Sequence, residues 1–337
     1  MLRSRGTPTL SDLPVELLEQ IFLEACHDGG RTACALRLVC RGARALVEPY
    51  RFVSVALSSS AQMEELLRSR GSIARGRGIR HLFLVESKSR EENECVRSEI
   101  VEEIIRIAAP TVETLTCLVR SVSNAFPNHW ILRTPFPRLT HLTCELVQMD
   151  VQVLIIQHPP VAPCYFPALQ YLHVSFPAKS SLDLECAHPG VGLFVDRASP
   201  ALTHVRVSGV NIAGPHVPAL RVILGLQPRG TRRIQGYIRA LPASVKSYTI
   251  GVTTFCWGDA RAAEEPHPKA DAVRAEAEHA GRTRLVLLPV GKLESTWQES
   301  RERWMKVQSG ELAQEAEWVE SGIVGRKRSK SRFRKVD

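Results

Sequence analysis

The segment FPRLTHLTC, residues 136–144, sets apolar side chains at Leu139, Leu142 and Cys144, in the order apolar-x-x-apolar-x-apolar. Leu142 and Cys144 lie two apart, on one face of an extended strand, while His141 and Thr143 alternate onto the other. Five more segments carry the same order: GIRHLFL (Ile79, Leu82, Leu84), PTVETLTC (Val112, Leu115, Cys117), FPALQYLHV (Leu169, Leu172, Val174), SPALTHVRV (Leu202, Val205, Val207) and ASVKSYTI (Val245, Tyr248, Ile250). In chain order the six units start 33, 27, 30, 33 and 43 residues apart. TRLVLLPV at 283–290 reads as a seventh strand.

A strand recurring at such a period implies stacked units that bury one continuous core. Strands of this kind pair in parallel, and each parallel pair needs a crossover, often helical. Val96, Ile100, Ile104 and Ile107 mark one connecting helix, and Ile234, Ile238 and Leu241 mark another. PKADAVRAEAEH, residues 268–279, has little apolar face and reads as an exposed helix. Long loops are expected at 177–199 and 252–270. The pattern resembles leucine-rich repeats, although its periods are long and no asparagine ladder follows the strands. An ordinary α/β domain with buried strands is the alternative.

Outward from the repeats lies LSDLPVELLEQIFLEAC, residues 10–26. Pro14 suits a first helical position, and Glu16 favours the positive end of the helix dipole. Leu17, Leu18, Ile21, Phe22 and Leu23 do not fit one stripe, so a small bundle cannot cover both sides of this helix. Gly29-Gly30 signals a stop, Thr32 a cap for the next helix, Gly42 a break within it, and Pro49 its end. The excess apolar surface must meet the rest of the chain or another protein.

LPVELLEQIF followed by LRLVCRGARALVEPYRF resembles an F-box, over about 45 residues. The matching residues are Leu13, Pro14, Glu16, Leu17, Leu18, Ile21, Phe22, Leu38, Val39, Cys40 and Arg41. Where many members carry an aromatic residue after the Cys-Arg pair, this chain has Gly42 and Ala43. In that family these helices bind the Skp adaptor of a cullin-based ubiquitin ligase. The resemblance therefore implies that those eleven residues dock the adaptor or shape the docking face, and that the repeats hold an unknown target protein.

Beyond the repeats, KLESTWQESRERWMKVQS puts Leu293, Trp297, Ser300 and Trp304 on one helical face, and Leu312, Ala316, Val319 and Ile323 align on a second stretch. The tryptophans are expected to cap the open end of the repeat stack. The formal charge is +9, but RKRSKSRFRKVD at 326–337 holds seven Lys/Arg against one Asp, so the tail carries +6 and the remainder +3. That tail suits a nuclear address or a solvated end. The arginines at 68, 70, 75, 77 and 80 read as a flexible basic loop.

The chemistry-bearing motifs are absent from the sequence: no GxSxG, P-loop, HExxH or zinc spacing. The echo GVGLF at 190–194 lacks its final glycine, and neither Cys186 with His188 nor His158 with Cys164 has metal spacing. His81, His141 and His204 each precede a core residue and should face away from it. The nine cysteines form no CxxC pair, which suits reduced, buried thiols. No apolar run approaches a membrane span.

The expected fold class is α/β, a three-helix F-box followed by an irregular leucine-rich-repeat-like solenoid of parallel strands with helical and loop connectors. Expected boundaries are a flexible 1–9, F-box helices at 10–55, repeats at 56–291, amphipathic helices at 292–324 and a basic disordered tail at 325–337. The expected function is a non-catalytic substrate receptor, cytoplasmic or nuclear, without cofactor or metal, its partners being the Skp adaptor, the cullin complex and a target. Two alternatives stand beside it. One is a repeat scaffold whose N-terminal helices pack near Val53 and Val55. The other is a nucleic-acid-associated protein using the basic loop and tail.

Overall fold

A computed structural model describes residues 13–85, 98–119, 127–146, 164–177, 182–198, 200–211, 217–227, 238–252, 268–288 and 297–309. The chain is an α/β protein with one all-parallel nine-stranded sheet flanked by helices. The strands are β1 (Ser54–Leu57), β2 (His81–Val85), β3 (Thr114–Leu118), β4 (His141–Glu145), β5 (Tyr171–Ser175), β6 (Leu182–Asp183), β7 (His204–Asn211), β8 (Ser247–Val252) and β9 (Arg284–Leu288). They lie side by side in chain order, except that β6 adds only to the end of β7.

All seven segments read as strands are strands, and the register explains why their pattern repeats. Leu82, Leu115, Leu142, Leu172, Val205, Tyr248 and Leu285 align across the sheet as one inward row. Leu84, Cys117, Cys144, Val174, Val207, Ile250 and Leu287 form the next. The first apolar position of each unit, from Ile79 to Val245, is buried in the approach to its strand. Cys117 and Cys144 are buried, and burial pushes both thiols up, Cys117 to about 11. They pack as small apolar groups.

One helical layer shares this core: α4 (Ser60–Arg68), α5 (Arg70–Arg75), α6 (Ser98–Ala108), α7 (Pro127–Arg133), α8 (Leu184–Val195), α9 (Val217–Ile223) and α10 (Pro268–His279). The helix read from Ile100 and Ile104 is α6, which also buries Val101 and Ile105. The expected loop at 177–199 instead holds β6 and α8. Pro189, Gly190 and Gly192 disguise a helical stripe of Leu184, Ala187, Val191 and Phe194. The GVGLF echo lies within α8, and His188 there is buried with Nε2 against the Arg239 carbonyl at 3.1 Å. The helix α10 is less exposed than expected, since its small residues Ala270, Val273 and Ala277 let one face approach the sheet closely. Of the helix read over 231–241, residues 231–237 lie outside the described residues, and 238–241 are not helical.

The arginines read as a flexible basic loop sit largely on α4 and α5. Arg68 meets Glu64 and Glu65, Arg70 meets Glu103, Arg80 forks onto Glu113 at 2.8 and 2.9 Å, and Arg77 lies over the Tyr50 ring. The charges of Arg68, Arg70 and Arg80 are matched by carboxylates nearby in the fold.

The other face of the sheet carries the histidines, as alternation requires. His141 stacks on Tyr171 and Tyr171 on His204, with ring centroids 4.5 and 4.7 Å apart. Thr140 donates to the Glu113 carbonyl and Thr203 to the Gln170 carbonyl, so each hydroxyl accepts from the Nδ1–H of the histidine beside it. Against this face lies α11 (Trp297–Ser309), with Trp304 buried on Phe83 and Val85. Trp304 was expected at the far end of the stack, but it seats on β2, near the start. The second C-terminal stretch, Leu312 to Ile323, and the basic tail lie outside the described residues, as do residues 1–12 and 253–267.

Burial holds His81 down to about 3, and His141 and His188 to about 4, against an ordinary 6.5. Above pH 6.5 these rings are neutral folded or unfolded. Below it the unfolded chain binds protons that the fold refuses, so stability falls as pH drops toward 4, by roughly 1 kcal/mol per pH unit for each ring. Urea unfolding at pH 7, 6 and 5 should show that steady loss. At Gly209 φ is +82°, and a methyl group there would lie 2.0 Å from the Phe176 carbonyl oxygen, at the bulge between Ser208 and Val210. Gly209→Ala should destabilise by at least about 2 kcal/mol, read as a lowered urea midpoint.

Candidate protein-docking face

Three helices precede the sheet: α1 (Val15–Ala25), α2 (Arg31–Val39) and α3 (Arg41–Val47), closed by a 3-10 turn at Glu48–Tyr50. Pro14 stands at the N-cap of α1, one place before its expected position, and its carbonyl accepts from the N–H groups of Leu17 and Leu18 at 3.1 Å. Gly29 and Gly30 turn the chain with φ of +78° and +91°, which glycine adopts without strain. The N-cap of α2 is Gly30, not Thr32. The Asp28 carboxylate accepts from the Thr32 N–H and hydroxyl at 2.9 and 2.8 Å. The break between α2 and α3 falls at Cys40, not Gly42. Cys40 is extended, at φ −160° and ψ 170°, and its Sγ accepts from the Ala43 N–H at 3.3 Å.

The bundle has a small core of its own, made of Phe22, Cys26, Ala33 and Val47 with Leu36 and Leu46 against it. Burial, with Asp28 and Cys34 nearby, pushes the Cys26 thiol up to about 11. Arg37 donates to Glu48 at 2.7 Å and the Tyr50 hydroxyl to Glu19 at 3.1 Å, tying the closing turn to α2 and α1. Burial and that carboxylate raise the Tyr50 pKa.

Filling this core with Phe22 turns the rest of α1 outward. Leu17 and Ile21 are 47% and 46% exposed, Leu13 38% and Val15 47%. Leu13, Leu17, Gln20, Ile21, Glu24 and Ala25 line a shallow groove. At the end of α2, Leu38 and Val39 are 87% and 70% exposed. Leaving a Leu or Ile in water forgoes roughly 1.5–3 kcal/mol relative to burying it. A contiguous apolar groove with polar side chains at its margin is the kind of surface that partners cover.

Of the eleven residues singled out from sequence, Leu13, Pro14, Glu16, Leu17, Ile21, Leu38, Val39, Cys40 and Arg41 are exposed, and Leu18 is half-buried. Phe22 is buried beneath them, so it supports the face from within. The sequence reading missed Val15, Gln20, Glu24 and Ala25. Gln20 and Glu24 each sit three residues after Leu17 and Ile21, a helical spacing that would have found them.

Among the described residues no group of three or more side chains could hold a metal ion, and no helix is long and apolar enough to cross a membrane. No protein-family model matches the chain, and no curated protein matches it in sequence.

The two faces of α1 should respond differently to substitution. Phe22→Ala should cost about 3–5 kcal/mol and open the bundle locally. Leu17→Asp should change stability by less than about 1 kcal/mol. Hydrogen exchange across residues 15–47 separates the two outcomes.

Proposed function

We propose that this chain is the non-catalytic substrate receptor of a Skp–cullin–F-box ubiquitin ligase. The observation that carries the reading is the exposure of Leu17 and Ile21 on a helix whose opposite side is already packed. The resemblance of 13–52 to an F-box assigns that face to the Skp adaptor. Leu13, Pro14, Glu16, Leu17, Leu18, Ile21, Leu38, Val39, Cys40 and Arg41 would contact it, with Phe22 beneath. The sequential parallel strands, one per unit, support reading the remainder as an irregular leucine-rich-repeat-like stack that holds a target protein. The chain then acts by proximity. Two binding surfaces on one polypeptide make the encounter of target lysines with a ubiquitin-charged enzyme effectively intramolecular, at concentrations on the order of millimolar for short, well-matched spans.

The scaffold alternative requires Leu17 and Ile21 to pack within the chain near Val53 and Val55, and their exposure weighs against it. The ion pairs of Arg68, Arg70 and Arg80 weigh against nucleic-acid binding through that segment.

Co-expression with a Skp adaptor tests the reading. The wild-type chain should co-purify as a stoichiometric complex, while the Leu17→Asp/Ile21→Asp variant should elute alone with an unchanged circular-dichroism spectrum. A soluble wild-type chain that never retains the adaptor would sink the ligase reading.

A further inference from the structure

Two apolar cores that share no side chains do not by themselves hold one unit at a fixed angle to another. The bundle core of Phe22, Cys26, Ala33 and Val47 is separate from the core beneath the sheet. The covalent exit from the bundle supplies one attachment. There the Arg77 N–H donates to the Pro49 carbonyl at 3.1 Å and its guanidinium covers the Tyr50 ring. One attachment is a pivot.

The second attachment is the turn between α1 and α2, and it depends on the C-terminal helix. The Gly29 N–H donates to Ser54 Oγ at 3.1 Å, and the Ser54 hydroxyl donates to Gln308 Oε1 at 2.9 Å. Arg301 Nη2 donates to the Asp28 carbonyl at 3.3 Å. The turn approaches so closely that a methyl group on Gly29 would lie 2.8 Å from Ala56 Cβ and 3.2 Å from Arg301 Nη2. His27 sets its ring edge-on to His81, 5.2 Å away. Trp304 holds α11 in place on Phe83 and Val85. Three stretches of sequence, 27–30, 54–56 and 301–308, thus meet at one junction.

We infer that α11 is a brace that fixes the angle of the N-terminal bundle on the sheet, with Arg301 and Gln308 as its positioning residues. The inference stands apart from the ligase reading and is tested without an adaptor. Spin labels at exposed Ala45 and Glu278, introduced through an azide-bearing amino acid because the chain has nine cysteines, report the angle as a distance distribution. The full-length wild-type chain should give one narrow distribution. Arg301→Ala/Gln308→Ala should at least double its width, and hydrogen exchange across 27–34 should rise at least tenfold, while β4, β5 and β7 stay protected. Unchanged width and exchange would show that the pivot alone seats the bundle and would overturn the inference. Loss of protection through β4 and β5 would overturn it as well, since α11 would then be a cover for the sheet and not a brace.

Discussion

Parallel pairing is the constraint on which the molecule depends. A strand cannot turn directly back onto a parallel neighbour, so each must be followed by a connector long enough to return. Each connector then covers the inward row it has just crossed. Leu142 and Cys144 of β4 meet Leu115 and Cys117 on one side and Leu172 and Val174 on the other. No single unit could bury those side chains alone. A change such as a misplaced Cβ at Gly209 is therefore felt first by the strands beside it.

The same logic explains the polar face. Once one face of every strand is committed to the helices, the other collects whatever the register aligns there. His141, Tyr171 and His204 fall in one row because each opens its strand. Their stacking, and the Thr140 and Thr203 hydroxyls that bridge to preceding carbonyls, make lateral ties between strands.

The strands were legible because two-residue alternation and a buried approach residue leave a mark in the order of side chains. Ile79, Val112, Leu139, Leu169, Leu202 and Val245 needed no tertiary information to be found. The helix α8 was not legible, since Pro189 and two glycines argue locally against a helix that burial of Leu184, Val191 and Phe194 stabilises. The arginines on α4 and α5 misled for a related reason. Glycines at 71, 76 and 78 suggested a loop, while Glu103, which meets Arg70, lies far away in sequence. The outward face of α1 was legible as a surplus of apolar residues, but which residues turned inward was not. Phe22 reads from sequence as one of the residues that dock the adaptor or shape the docking face, and only the core formed with Cys26, Ala33 and Val47 shows that it lies on the inner side.

The seat of Trp304 is the part of the fold that sequence pattern could least anticipate, and it bears on how the two ends of the chain cooperate. A terminal strand presents unpaired backbone to solvent, a liability that proteins offset by covering it. Here Gly29 and Gly30 lie against the backbone and side chains of Ser54 and Ala56 in β1, the first strand of the sheet. A bundle with its own core and an apolar outer face would be free to swing away from that strand. Residues contributed some 250 positions later close the junction, through Ser54–Gln308 and Asp28–Arg301, whose sequence separations are 254 and 273. Polar contacts suit this role better than a shared core would. They fix direction as well as distance, and they leave the apolar side of α1, with Leu17 and Ile21, exposed.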